Sequence, residues 1–557
     1  AAAPPGALAL SAAARNFDHL QRSVVRIQAV SATFDWLQPF APGQEQVSIG
    51  SGFCVQVEPY PLFATTAHVV EDAGQVSIQL PMPGARFWDA QVVAITSEFD
   101  LALLVLQEPE RFQQALAARG MALERLRFSQ RAPGMGDEVV ALGFSPGEDT
   151  LRLSPGHVAG SEQVFGNIAI HHSAPIFPGN SGGPLLDATG REVVGVNFAG
   201  SSISDVICYA IPIWRVPQIV SMFLREQPWA VSASDWRRMQ VRVPEWEVTD
   251  IQPSGPLYAG SGGCAEGVYI ARIGERSPLR RSLPPVQEGS FLVAVNGHGI
   301  DSSGMGLDQR YIPDRVTYRD LMFMVPDLAS DIEVETCRNG VSATHVVGTA
   351  WTPDSGAGIV EVLEPRVEGM PERYEMFGGV LVMEMTVNHI DEVLRVMGDP
   401  GPARWLQPHE VAHPRLVIAF VERGTWASSV FSVGSAISKI NDQEVRTLEE
   451  YRANFAPRQG SALWSLETDL GLVMHLHFNE SVAAQYRQGL AMPSSRHLLT
   501  DAVVAAAERL GLAEHGVPRG WACDSNCTAA TGGVVALNKA PREAPRAAPV
   551  ARAAGPL

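Results

Sequence analysis

Three short motifs carry groups that together could perform acyl transfer. Residues 178–187 read PGNSGGPLLD. A serine set among glycines on a tight turn leaves room for backbone N–H groups to converge beside its Oγ, where the oxyanion of a tetrahedral intermediate needs donors. The stretch Gly179, Asn180, Ser181 supplies them, with the N–H groups of Gly179 and Ser181 foremost. A serine hydroxyl is a weak nucleophile and needs a base. TTAHVV (65–70) offers His68 at the end of an apolar run, and EFDLALLVL (98–106) offers Asp100 to fix the imidazole tautomer. That carboxylate heads an otherwise apolar strand, where an unpaired charge would be costly. The order along the chain is His68, Asp100, Ser181, with separations of 100 − 68 = 32 and 181 − 100 = 81 residues.

Other reactive groupings carry less. HEVAH (409–413) matches a zinc-protease pattern, but Pro408 and Pro414 bracket it and limit any helix to about one turn, so no metal site is expected. His171 and His172 are adjacent on an expected strand and point to opposite faces. Cys523 and Cys527 form a lone C-x3-C without a partner pair, and GSGGC (260–264) lacks the strand-loop-helix setting of a phosphate site. No cofactor is expected.

The elements that must position these groups are mainly β. From residue 17 to 228, short β-rich runs alternate with Gly and Pro turns, the pattern of antiparallel barrels, and close on a helix near residues 216–227. Two further β-rich blocks, 239–351 and 352–488, repeat one unit of strand, Asn-Gly or Asn-Asp turn, short helix and closing hairpin; VAVNGHGI (293–300) and ISKINDQEV (437–445) hold equivalent places. A helical segment at 489–522, centred on residues 500–512, follows. Residues 1–16 read as a flexible arm and 523–557 as a disordered tail rich in Ala, Pro and Gly.

The chain has 557 residues, 46% hydrophobic and 18% charged, with a net charge of −18 from 60 acidic and 42 basic side chains. The length implies several cores. The acidic balance argues against nucleic acid as a partner, and no apolar run is long enough to span a bilayer; peripheral membrane association stays open. Six scattered cysteines point to a reducing compartment or to inert thiols rather than to a disulfide framework.

The His-Asp-Ser order is that of chymotrypsin, and with GSGFCV (50–55), DLALL (100–104), GNSGGPLLD (179–187) and YAIPIWRV (209–216) residues 17–225 resemble the protease domain of the HtrA/Deg family. That resemblance implies a chymotrypsin-like double β-barrel followed by two PDZ-like domains, most like the plant-type, chloroplast Deg2 branch. It places a primary specificity pocket at Ile176, Val196, Asn197 and Phe198. No acidic residue stands there, so cleavage after small or medium apolar residues is expected. It places a peptide-binding carboxylate loop at Phe377, Gly378, Gly379 and Val380, and trimer contacts at Phe34, Trp36 and Phe40, with simple barrel packing as the other reading of those rings. The implied function is ATP-independent serine endopeptidase activity in protein quality control on unfolded or damaged proteins, in a homotrimer or hexamer. The implied location is an organelle, the chloroplast first, with mitochondrion and nucleus as alternatives. A latent protease serving as a PDZ-based scaffold or chaperone is the competing expectation.

Overall fold

The computed structural model describes residues 18–512 except 33, 42, 82–85, 145–149, 165, 201–206, 227–237, 242–245, 254–262, 265, 276, 329, 349–373, 408 and 459. The expected arm (1–16), the tail (523–557) and Cys523 and Cys527 lie outside the described residues.

Two six-stranded antiparallel barrels come first. The first is built from Val24–Ala32, Glu45–Gln56, Leu62–Thr65, Ala73–Gln79, Trp88–Thr96 and Leu101–Leu106, and closes where the last two strands pair. All six residues of Leu101–Leu106 are buried because the strand is covered on both sides: Leu101, Leu103 and Val105 join one core cluster and Ala102, Leu104 and Leu106 another. The first of these clusters also takes Leu142, Phe144 and Leu186 from the second barrel, so apolar side chains fill the seam between the barrels. The second barrel comprises Glu138–Phe144, Leu151–Val164, Asn167–His172, Pro184–Asp187, Glu192–Gly200 and Cys208–Pro212. A helix, Arg215–Glu226, follows it. The chain then returns to the first barrel, where Met239–Gln240 adds a parallel edge strand to Trp88–Thr96.

The third sheet runs Val248–Ile251, Val268–Ile273, Phe291–Val295, Ile332–Arg338, Val341–Val347. Here one expectation fails. Cys264 and Cys337 are joined in a disulfide with Cα atoms 5.8 Å apart, and both are buried against Phe291. A separation of 73 residues gives no local cue to the pairing.

The fourth sheet has the order Tyr374–Phe377, Val380–Glu384, Leu416–Val421, Ala436–Ile440, Leu463–Thr468, Val473–His477. Its helices differ from expectation in two ways. The segment between Val380–Glu384 and Leu416–Val421 contains an amphipathic helix, Val387–Met397, begun by a Thr386–His389 capping box and ended by Gly398 at φ 68°. The helix Phe478–Ala491 runs across the expected boundary at residue 488. With Asp501–Arg509 it shares a single core with the sheet: Phe478, Val482, Tyr486 and Val503 pack with Phe377, Trp464 and Leu466. These helices therefore complete the fourth sheet's unit instead of forming a segment of their own.

The rings at residues 34–40 are half-buried. They extend from the hairpin between the first two strands and dock on the fourth sheet's unit. Trp36 meets His389 edge-on at 5.0 Å, Phe40 meets Phe420 at 5.4 Å, and Phe40 stacks on His497 at 4.2 Å. Within the chain these rings thus dock on the fourth sheet's unit, a partner that neither expectation named.

Candidate active site

His68 sits on a single helical turn, Ala67–Val70, directly after the strand Leu62–Thr65, and its side chain is exposed while Ala67, Val69 and Val70 are buried. Asp100 lies in the turn before Leu101–Leu106, with φ 51° and its N–H donating to the Ser97 carbonyl at 3.1 Å. The Asp100 carboxylate lies 2.8 and 3.0 Å from His68 Nδ1 and also accepts the His68 backbone N–H at 2.9 Å. A carboxylate only accepts, so Nδ1 carries the proton, and in the neutral ring Nε2 holds the lone pair. Burial, the largest single influence, pulls the His68 pKa down; the hydrogen bond and charge of Asp100 and the charge of Glu71 outweigh it and raise it above the usual imidazole value.

Ser181 is carried by the loop between Asn167–His172 and Pro184–Asp187. Asn180 N–H donates to the Phe177 carbonyl at 2.9 Å and Gly179 has φ 94°, which makes residues 177–180 a type II turn. The Asn180 amide is therefore spent inside the turn and cannot serve an oxyanion, contrary to its place in the expected donor set. Gly182 abuts the base of the His68 turn: a Cβ there would come within 2.2 Å of Thr65 Oγ1 and of the Ser51 carbonyl. Ser181 Oγ is 3.4 Å from the Phe198 carbonyl, to which it donates.

Sequence reasoning missed Ser51. It is fully buried, and every polar group it has is used: its N–H donates to the Ser181 carbonyl (2.8 Å), its hydroxyl donates to the Gly179 carbonyl (2.6 Å) and accepts Phe144 N–H (3.0 Å), and its carbonyl accepts from Thr65 Oγ1 (2.8 Å). The signal was the small-residue run GSG at 50–52, which lets the backbones of both barrels approach.

The expected pocket residues separate. Ile176 and Phe198 are half-buried near Ser181 in the chain and on its carbonyl contact. Val196 is wholly buried in the seam between the barrels, and Asn197 is wholly buried with its Nδ2 donating to the carbonyls of Gly183 and Pro184, so both act in packing instead of lining a pocket. Phe377, Gly378, Gly379 and Val380 form a two-residue hairpin whose first strand, Tyr374–Phe377, lies along the free edge of Val380–Glu384. The Gly378 N–H donates to Gln485 Oε1 at 3.2 Å, and Phe377 is buried among Phe455, Trp464 and Phe478. A peptide at that edge would have to displace the chain's own strand. HEVAH forms turns in which His409 and His413 face Glu410 (3.7 Å) and Glu275 (4.0 Å). His172 is fully buried, and burial together with the His171 charge pulls it down to about 4.

A trypsin-like peptidase domain matches residues 50–196. A mitochondrial Do-like protease of Arabidopsis thaliana is 31% identical over 379 residues, covering 66% of this chain and 61% of the relative. Human serine protease HTRA3 is 26% identical over 276 residues, 46% of this chain and 55% of the relative. The chain thus spans less than two thirds of the length of either. The solved structure of the HtrA-type protease AlgW with a decapeptide superposes with a TM-score of 0.41 and 20% identity, over 60% of this chain and 97% of that one. The chain thus carries a trypsin-like peptidase domain and is similar, over part of their length, to HtrA, or Do-like, serine proteases.

Proposed function

We propose that the chain is an ATP-independent serine endopeptidase that cleaves unfolded or damaged proteins. The observation that carries this reading is the Asp100 carboxylate on His68 Nδ1, on a turn whose base abuts the Ser181–Gly182 backbone. Ser181 Oγ rotates away from the Phe198 carbonyl and attacks the scissile carbonyl carbon while His68 Nε2 takes its proton. The oxyanion so formed lies against the N–H groups of Gly179 and Ser181. Collapse expels the amine, which takes the proton back from His68, and leaves an acyl-enzyme. Water, deprotonated by the same nitrogen, then releases the acid and regenerates Ser181. Half-buried Ile176 and Phe198 favour small or medium apolar side chains on the acyl side of the bond. Location in an organelle, with the chloroplast as first choice, and assembly as a trimer or hexamer complete the proposal. The Cys264–Cys337 disulfide adds an oxidising space as a condition.

A second reading, a latent protease acting as a scaffold, draws support from the Ser181 hydroxyl facing a carbonyl and from the occupied edge of the fourth sheet. Fluorophosphonate labelling of the full chain with Ser181→Ala as control, beside β-casein degradation, separates them. Labelling and degradation that both vanish in the variant support the enzyme; an unlabelled wild-type protein supports the scaffold.

A further inference from the structure

The turn that carries Asp100 is held from outside the barrels. Phe99, its neighbour in sequence, is 4% exposed and points away from the triad into a cluster shared with the third sheet's unit. There its ring meets the Phe323 ring edge-on at 5.7 Å, and the Arg215 guanidinium lies over the Phe99 face, 3.7 Å from the centroid. Arg215 belongs to the helix that closes the second barrel and is 2% exposed. It donates to the Phe323 carbonyl at 3.3 Å, and Gln218, one turn on and also buried, donates to the same carbonyl at 2.9 Å. On the other side of Phe99, Asn167 Nδ2 donates to the Glu98 carbonyl. Three elements distant in sequence thus close on residues 98 and 99.

This is an unusual use of an arginine. Burial pulls its pKa down to about 9, against the charge of Asp320. A buried cation stays only where its surroundings compensate it; here they are the faces of Phe99 and Trp214, the more distant Phe323 ring, the Phe323 carbonyl oxygen and the charge of Asp320. The compensated group is also the one that fixes the ring beside Asp100.

We propose that Phe323, with Arg215, is a positioning device for the triad: the third sheet's unit braces the Phe99–Asp100 turn, so that Asp100 meets His68 only when that unit is docked. This rests on the reading of Asp100 as the group that orients His68. Asp100 holds a left-handed conformation that a non-glycine residue adopts at a cost, so the turn needs outside support to stay in place. Neither Phe323 nor Arg215 touches the reacting atoms.

The test uses the full chain. In Phe323→Ala, kcat for a peptide substrate, normalised to fluorophosphonate-titrated sites, falls about 10- to 100-fold while KM stays within about twofold. Phe99→Ala falls by a similar factor and the double variant falls no further, since both remove one contact. Phe323→Leu, which keeps an apolar side chain and disturbs the core less, shows a smaller loss of the same kind and serves as the test if Phe323→Ala fails to fold. A second readout needs no turnover: in a Ser181→Ala background, the downfield proton resonance of His68 Nδ1–H, identified by its loss in Asp100→Asn, disappears or moves upfield with Phe323→Ala or Phe323→Leu. An unchanged resonance, or unchanged kcat per titrated site, overturns the proposal. Absence of labelling in the wild-type protein would instead overturn the proposed activity, and the resonance would still decide the brace.

Discussion

Replacing Ser51 by alanine tests whether the nucleophile loop is ordered from the opposite barrel. The change removes one oxygen and leaves the Ser51 backbone contacts to Ser181 and Thr65 in place. Two bonds go: the hydroxyl's donation to the Gly179 carbonyl and its acceptance of Phe144 N–H, both in a fully buried site. A net value of about 1 kcal/mol for each gives about 2 kcal/mol, a factor of about 30 in any equilibrium between the type II turn and a rearranged loop. Losing an oxyanion donor outright costs about 100- to 1,000-fold in kcat, so a loop that merely loses its anchor should fall short of that. Ser51→Ala is therefore expected to lower kcat about 10- to 30-fold, with KM within about twofold and a thermal transition lowered but cooperative. The assay is hydrolysis of a fluorogenic peptide normalised to fluorophosphonate-titrated sites, beside calorimetry. A variant with kcat within twofold of wild type and a lowered transition would show that the bond stabilises the barrels without ordering the loop, and the reasoning would fail.

Three other outcomes follow from the structure. His68 is the base only when neutral, and Asp100 raises its pKa, so activity should rise with pH through a value above the ordinary imidazole range; Asp100→Asn should move that limb to lower pH and cut kcat by about 10,000-fold, read from kcat–pH profiles. His172 takes a proton near 6.5 when unfolded but only near 4 when folded, so its stabilising contribution is whole above pH 6.5 and shrinks toward pH 4 by about 3 kcal/mol; urea titrations across that window should show the slope, and His172→Leu should flatten it. Reduction of Cys264–Cys337, or Cys264→Ser, frees a 73-residue loop and should destabilise the third sheet's unit by about 4 kcal/mol; an unshifted calorimetric transition in reductant would contradict this.

What could be read in advance was what short-range chemistry dictates. Gly182 must be glycine because φ 83° and two oxygens at 2.2 Å exclude a Cβ, and the GNSGG run announces such a turn without a structure. His68 and Asp100 stood out because each interrupts an apolar strand pattern. The continuous apolar run Leu101–Leu106 and the Asn-Gly turns were equally local. Long-range contacts had no such signature. Val196 and Phe198 both pack on the core between the barrels, and only the Phe198 carbonyl reaches the Ser181 hydroxyl, a backbone contact that residue types do not announce. Phe99 and Arg215 carry no local pattern that marks them as partners. Only the packing of the third sheet's unit turns them inward. The ring cluster at 34–40 announced an aromatic docking segment but not its partner, because His389, Phe420 and His497 come from three separate elements.

The contact between Phe99 and Phe323 also sets an order of events at the ribosome. Both barrels are complete once residue 212 has emerged, but the face that covers Phe99 needs residue 323, another 323 − 212 = 111 residues. At roughly 5–20 residues per second, that is roughly 5 to 20 s during which a nascent chain has its nucleophile loop and its histidine without the cover over Phe99. Newly made molecules would thus pass through synthesis with the brace still missing, among unfolded neighbours of the very kind proposed as substrate.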